Sequence, residues 1–153
     1  MISPLQLNKY FFPVISIVAN PKFQEEHLDL IPEIDVEINH DVFVSKDDEN
    51  SFQLKLVIKV ASTAEKPVPY EIVLLVIGLF ETAPDFPEKN KLVGITGSSI
   101  LYSAAREYIA MVTGRGPFPS IILPTVSFSQ IQKNNNQPQS PPPAKKQRKA
   151  KSQ

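Results

Sequence analysis

The chain has 153 residues, enough for one domain with a modest core, and it contains no cysteine and no tryptophan. The lack of cysteine excludes disulfides, thiolate nucleophiles and cysteine-held metals, and it suits a reducing, cytoplasmic setting. A formal charge of zero hides an asymmetry: all sixteen acids precede Lys133, together with ten of the sixteen bases. The other six bases, Lys133, Lys145, Lys146, Arg148, Lys149 and Lys151, lie in a stretch with no acid. An acidic body thus carries a basic tail.

In chain order, residues 10–19 are rich in β-branched and aromatic side chains and read as a strand. Pro13 within them suits an edge, a bulge or a strand start. The same run loosely imitates a secretion leader, but Pro13, a single preceding charge and the lack of a clean cleavage site favour the strand. Residues 33–39, "EIDVEIN", alternate strictly, with Ile34, Val36 and Ile38 on one face and Glu33, Asp35, Glu37 and Asn39 on the other. After the charged turn "SKDDEN", residues 52–61 alternate again, placing Phe52, Leu54, Leu56, Ile58 and Val60 together. Residues 70–81, "YEIVLLVIGLFE", are apolar on both faces, so both need cover or one serves for binding.

The stretch "TAPDFPEKNK" reads as an irregular connection around Phe86. A helix follows, with Gly97, Ser98 and Ser99 as cap candidates and Gly114 as its stop. Leu101, Ala104, Ala105, Tyr108, Met111 and Val112 make one apolar stripe at helical spacing. Ile100, Tyr102 and Ile109 fall off that stripe and are expected at a subunit interface. Four strands followed by a helix imply an α+β fold with an antiparallel sheet. The domain is expected over residues 1–132. Residues 133–153 are expected to be a disordered, proline-containing basic tail.

Little chemistry is visible. His27 and His40 have carboxylates nearby in sequence, but they flank different ends of one expected strand without metal-type spacing and read as solvated loop residues. Asp35 and Glu37 read as a wet strand face. The glycines are too scattered for a phosphate loop, and no Ser–His–acid constellation suggests itself. No catalytic residue, metal or cofactor is expected. No stretch reaches the ~18 apolar residues needed to cross a bilayer. The tail "KKQRKAKSQ" is the kind of run that binds nucleic acid or an acidic partner, although it lacks interleaved aromatics. What remains is surplus hydrophobicity, which serves either an oligomer interior or a groove for apolar segments of other proteins.

The residues Ile100-Leu101-Tyr102, Ala105-Arg106-Glu107, Arg115-Gly116-Pro117-Phe118-Pro119 and Leu123-Pro124-Thr125-Val126-Ser127-Phe128 resemble, in order, a motif of the SecB protein-export chaperones. Upstream, "GLFE" at 78–81, "LVGITG" at 92–97 and "VISI" in the first strand are similar too, so the resemblance spans about residues 5–131. Where the family introduces its helix with Pro-Asn, this chain has Ser98-Ser99.

The resemblance implies a four-stranded antiparallel sheet, a crossover loop, a long helix and a short C-terminal helix. It also implies a homotetramer, a dimer of dimers with helices between eight-stranded sheets. The implied activity is ATP-independent holding of unfolded (pre)proteins for export, and the partners are unfolded polypeptide clients. Carried over by position, client contacts fall on Ile34, Val36, Ile38, Leu74, Val76, Phe128 and Ile131, with Phe86 in the loop as a further candidate. One departure concerns delivery. Export members carry acids that dock the basic, zinc-holding tail of the translocase ATPase SecA, and here those positions are Val14, Val18 and Val73. Client binding therefore transfers better than delivery. Two other readings stand beside export: a chaperone dedicated to one partner such as an antitoxin, and an oligomeric module binding nucleic acid through its tail.

Overall fold

The computed structural model describes residues 1–24, 26 and 34–130. His27, Ile131 and the basic tail lie outside the described residues. Four strands, β1 (Leu5–Ala19), β2 (Glu37–Val44), β3 (Ser51–Val60) and β4 (Tyr70–Thr82), form one antiparallel sheet in the order β1-β4-β3-β2. A continuous helical rod then runs through α1 (Lys89–Leu92), a π-helical segment (Val93–Gly97) and α2 (Ser98–Thr113). An extended segment follows, and Phe128 opens a short C-terminal helix. The α+β architecture is the expected one.

The alternation read in the sequence sets which way the sheet faces. Leu54, Leu56 and Ile58 of β3 and Leu74 and Val76 of β4 are fully buried beneath the helix. The odd-numbered residues of both strands point to the other, open face. Leu101, Tyr102, Ala105 and Ile109 of α2 close the core from above, and Ile121, Leu123 and Phe128 of the extended segment seal its flank. Gly78 marks the closest approach of the two layers. A Cβ there would lie 2.9 Å from a Leu101 methyl and 2.7 Å from the Phe80 ring, so only glycine lets α2 descend this far.

Three boundaries differ from expectation. β1 begins five residues earlier than residue 10, and Pro13 falls in the second of its two register shifts, between Phe11 and Val14, on an edge strand. β2 starts at Glu37 rather than Glu33, because its partner β3 ends at Val60 and Glu37–Lys59 is the last pair. Residues 34–36 run on beyond the ladder, and the Lys66–Asp35 ion pair at 2.8 Å ties them down. The helix begins at Lys89, not at Ser99. Gly94 and Gly97 sit inside it, in the π-helical segment, where burial against the sheet outweighs their low helix propensity.

The apolar stripe of α2 is also rotated from the expected one. Its buried residues are Ser98, Leu101, Tyr102, Ala105, Ile109 and Thr113, at spacings of three and four. Tyr102 and Ile109 therefore belong to the protomer core, 3% and 0% exposed, and do not stand free for a subunit interface. Met111 leaves the stripe and is exposed, as is Ile100. Tyr102 escapes recognition as a core residue because its ring is buried while its hydroxyl donates to the Pro124 carbonyl at 2.6 Å.

Candidate functional site

The segment after α2 is strapped down by side chains drawn from the motif residues. The Tyr70 hydroxyl accepts the Phe118 amide at 3.0 Å and lies 3.2 Å from both the Thr113 and the Phe118 carbonyls, either of which takes its proton. A Cβ on Gly116 would overlap that hydroxyl, which explains Arg115-Gly116 before the Pro-Phe-Pro turn. The Thr113 Oγ1 accepts the Ile121 amide at 2.9 Å, and the Arg106 Nε donates to the Leu123 carbonyl at 2.9 Å. Tyr102 holds Pro124. The strap ends with Phe128, buried, its ring 5.8 Å from Tyr102 and 6.0 Å from His40.

His40 is the residue that sequence reasoning missed. It lies within β2 opposite Leu56, on the helix side of the sheet, rather than in a solvated loop. Its Nδ1 is buried and has no hydrogen-bond partner. Burial holds its pKa below the ordinary histidine value, against the opposing pull of the Asp41 carboxylate. Only the register of β2 reveals this, since a His-Asp pair beside a charged turn reads as surface.

Of the residues matched to client contacts, Ile34, Val36 and Ile38 line up half-buried on one side of β2 and its lead-in. Leu74 and Val76 share their face of the sheet but lie beneath α2 with no exposed surface, so in this protomer they floor the core. Phe86 lies elsewhere. It borders a separate cleft of about 240 Å³ with Leu92, Ile95 and Thr96, between the crossover loop and the π-helical segment, rimmed by Glu88 and Lys91. Glu88 at this rim has φ 52°, a left-handed conformation that costs a non-glycine residue energy. The apolar candidates thus fall in three places, only two of them exposed, and not in one continuous groove.

A fourth apolar surface is the open face. Val14 and Val18 of β1 and Val73 of β4 lie there 44%, 55% and 40% exposed, with Phe11 and Leu79 completing the patch. The β2–β3 half of the same face is largely charged, with Glu37 beside Lys59 and Asp41 beside Lys55 in register, and exposed Phe43 at its end. A fifth runs along the outward side of α2. Ile100, Ala104, Tyr108 and Met111 recur there, and Tyr108 stacks on Phe12 of β1 with centroids 5.0 Å apart. Among the described residues no cluster of acidic or histidine side chains could hold a metal ion, and no helix is long and apolar enough to cross a membrane.

Comparison with known proteins decides the family. The family described as preprotein translocase subunit SecB matches residues 4–139. The chain belongs to the SecB family. The protein-export protein SecB of Psychrobacter arcticus is 26% identical over 108 residues, covering 69% of this chain and 71% of the relative. That of Psychrobacter cryohalolentis is 27% identical over 101 residues, 65% of each. The fold is similar to a SecB-like chaperone of Mycobacterium tuberculosis solved with a ChAD peptide from the HigA1 antitoxin, with a TM-score of 0.63 at 16% identity, over 81% of this chain and 91% of that one. The SecB family is one of chaperones, and a chaperone role is the function that this membership carries.

Proposed function

We propose that this protein is an ATP-independent holdase that binds unfolded polypeptide clients through separate apolar patches. The observation that carries the reading is the family match over residues 4–139, in which the motif residues Tyr102, Arg106, Gly116 and Phe128 each make the packing or hydrogen-bond contact that shapes the strap. Clients would engage the half-buried Ile34, Val36 and Ile38, and separately the Phe86 cleft, with buried Phe128 supporting the first patch. Burying one large client side chain contributes roughly 1.5–3 kcal/mol, and several weak sites on one assembly act through effective concentration. Such binding is tight in sum, tolerant of sequence and reversible. Leu74 and Val76 would act as the floor that holds these patches in place.

The assembly is proposed to be a homotetramer whose protomers meet along the outward side of α2. Ile100 remains the interface residue of choice, joined by Met111 in place of Tyr102 and Ile109. Exposed Tyr10 and Ile15 extend this surface onto the edge strand β1.

A second reading, a chaperone dedicated to one partner such as an antitoxin, is favoured by the open face. Where export members present acids, Val14, Val18 and Val73 offer nothing to a basic domain, so delivery to SecA is the weaker half of the export reading. Glu71, paired with Val18, and Lys59, paired with Val73, are exposed charges beside them. The deciding experiment measures suppression of aggregation of several chemically denatured clients without nucleotide, with native mass recorded alongside. A tetramer that protects all clients supports the general holdase. A folded oligomer that protects none of them sinks it and leaves the dedicated chaperone.

A further inference from the structure

The contact between β2 and the end of the strap brings a half-buried ionisable group, with one ring nitrogen fully buried, against the aromatic ring that closes the core. His40 lies between Ile38 and Val42 on the helix side of β2, opposite Leu56 of β3, with Phe128 against its ring and Tyr102 behind Phe128. We propose that His40 is a pH-sensitive latch: neutral, it lets Phe128 seat on β2, and protonated, it unseats Phe128 and frees the 121–130 strap.

The cation finds poor company there. Its buried Nδ1 would carry a proton with no acceptor in reach, next to the Phe128 ring. From α2, Arg106 and Tyr102 offer no acceptor, Arg106 with its Nε held by the Leu123 carbonyl and Tyr102 with its hydroxyl committed to Pro124. From β3, Leu56 faces His40, and Lys55 points to the open face. The π-helical segment carries no charge, and Ser127, Ser129 and Gln130 of the strap are neutral. Asp41 is the one nearby group that favours the cation. It lies on the opposite face of the sheet and is outweighed by burial.

Because docking lowers the histidine pKa, it is undisturbed above the free value of about 6.5 and weakens as pH falls below it. The undocked state then binds a proton that the docked state refuses, until the docked pKa is reached. The docked-to-undocked ratio accordingly falls by up to about tenfold per pH unit in that window. The latch goes beyond the holdase reading and does not depend on it.

The test is hydrogen exchange of the full wild-type chain at pH 7.5 and pH 5.5, corrected for intrinsic rates, comparing 121–130 with β3. The expected result is a loss of protection in 121–130 at pH 5.5, with β3 unchanged. In His40→Leu that loss should vanish, and His40→Gln gives the same reading if leucine perturbs folding. An unchanged 121–130 in the wild type overturns the latch. So does an equal loss in both His40 variants, or a loss of β3 protection in parallel, which marks general unfolding.

Discussion

Gly78 lies where Leu101 and Phe80 both reach within 3.0 Å of any added Cβ, so substitution there overpacks the junction of sheet and helix. Gly78→Ala is expected to cost about 1–3 kcal/mol in denaturant unfolding, with the slope unchanged. An unchanged midpoint would contradict the packing described. Tyr70 is the other residue on which the motif turns. Tyr70→Phe removes the acceptor of the Phe118 amide and is expected to cost about 1–3 kcal/mol, with increased exchange over residues 114–121. The need for glycine at 116 was visible as a motif, but its cause, a hydroxyl from a strand 46 positions earlier, was not. The same holds for His40, whose setting depends on a strap arriving from the far end of the chain.

At the scale of elements, strands β3 and β4 were legible almost to the residue, β3 from its alternation and β4 from a long apolar run rich in β-branched residues, and in both every even-numbered side chain is buried. The helix was legible in existence and end, not in start. Its first nine residues carry two glycines and a lysine-rich turn, which local propensity reads as loop and only tertiary burial of Val93, Gly94 and Gly97 makes helical. The stripe was misread because aromatic Tyr102 and branched Ile109 looked like surplus, whereas the surplus is Ile100 and Met111 on the opposite side. Ile100→Glu with Met111→Glu is therefore expected to halve or quarter the native mass while leaving protomer circular dichroism intact. Retention of the full assembly would place the interface elsewhere. On the open face, Val14→Asp with Val18→Glu and Val73→Glu should change stability by less than about 1 kcal/mol per site, since each is exposed. The same variant should gain salt-sensitive binding of a basic peptide that the wild type lacks, readable by calorimetry. Binding of equal strength by the wild type would show that the lost acids are replaced from elsewhere.

At the scale of the whole molecule, the sheet, the rod and the strap leave apolar surface in several places rather than in one pocket. That distribution suits the proposed holding of long, unfolded chains by many weak contacts. The proposed client contacts rest on the resemblance. Periodicity marked Ile34, Val36 and Ile38 as one face but could not say that β2 stops short of Ile34 and Val36, nor that Leu74 and Val76 would be sealed beneath α2. The most direct test of the account is the binding of a permanently unfolded, fluorescently labelled client to the full chain without nucleotide, at low and at high salt. The account predicts binding that persists or tightens at high salt, with a negative heat-capacity change, because apolar burial drives it. Failure to bind, or binding that collapses with salt and disappears when residues 133–153 are removed, would contradict it and return the function to the basic tail.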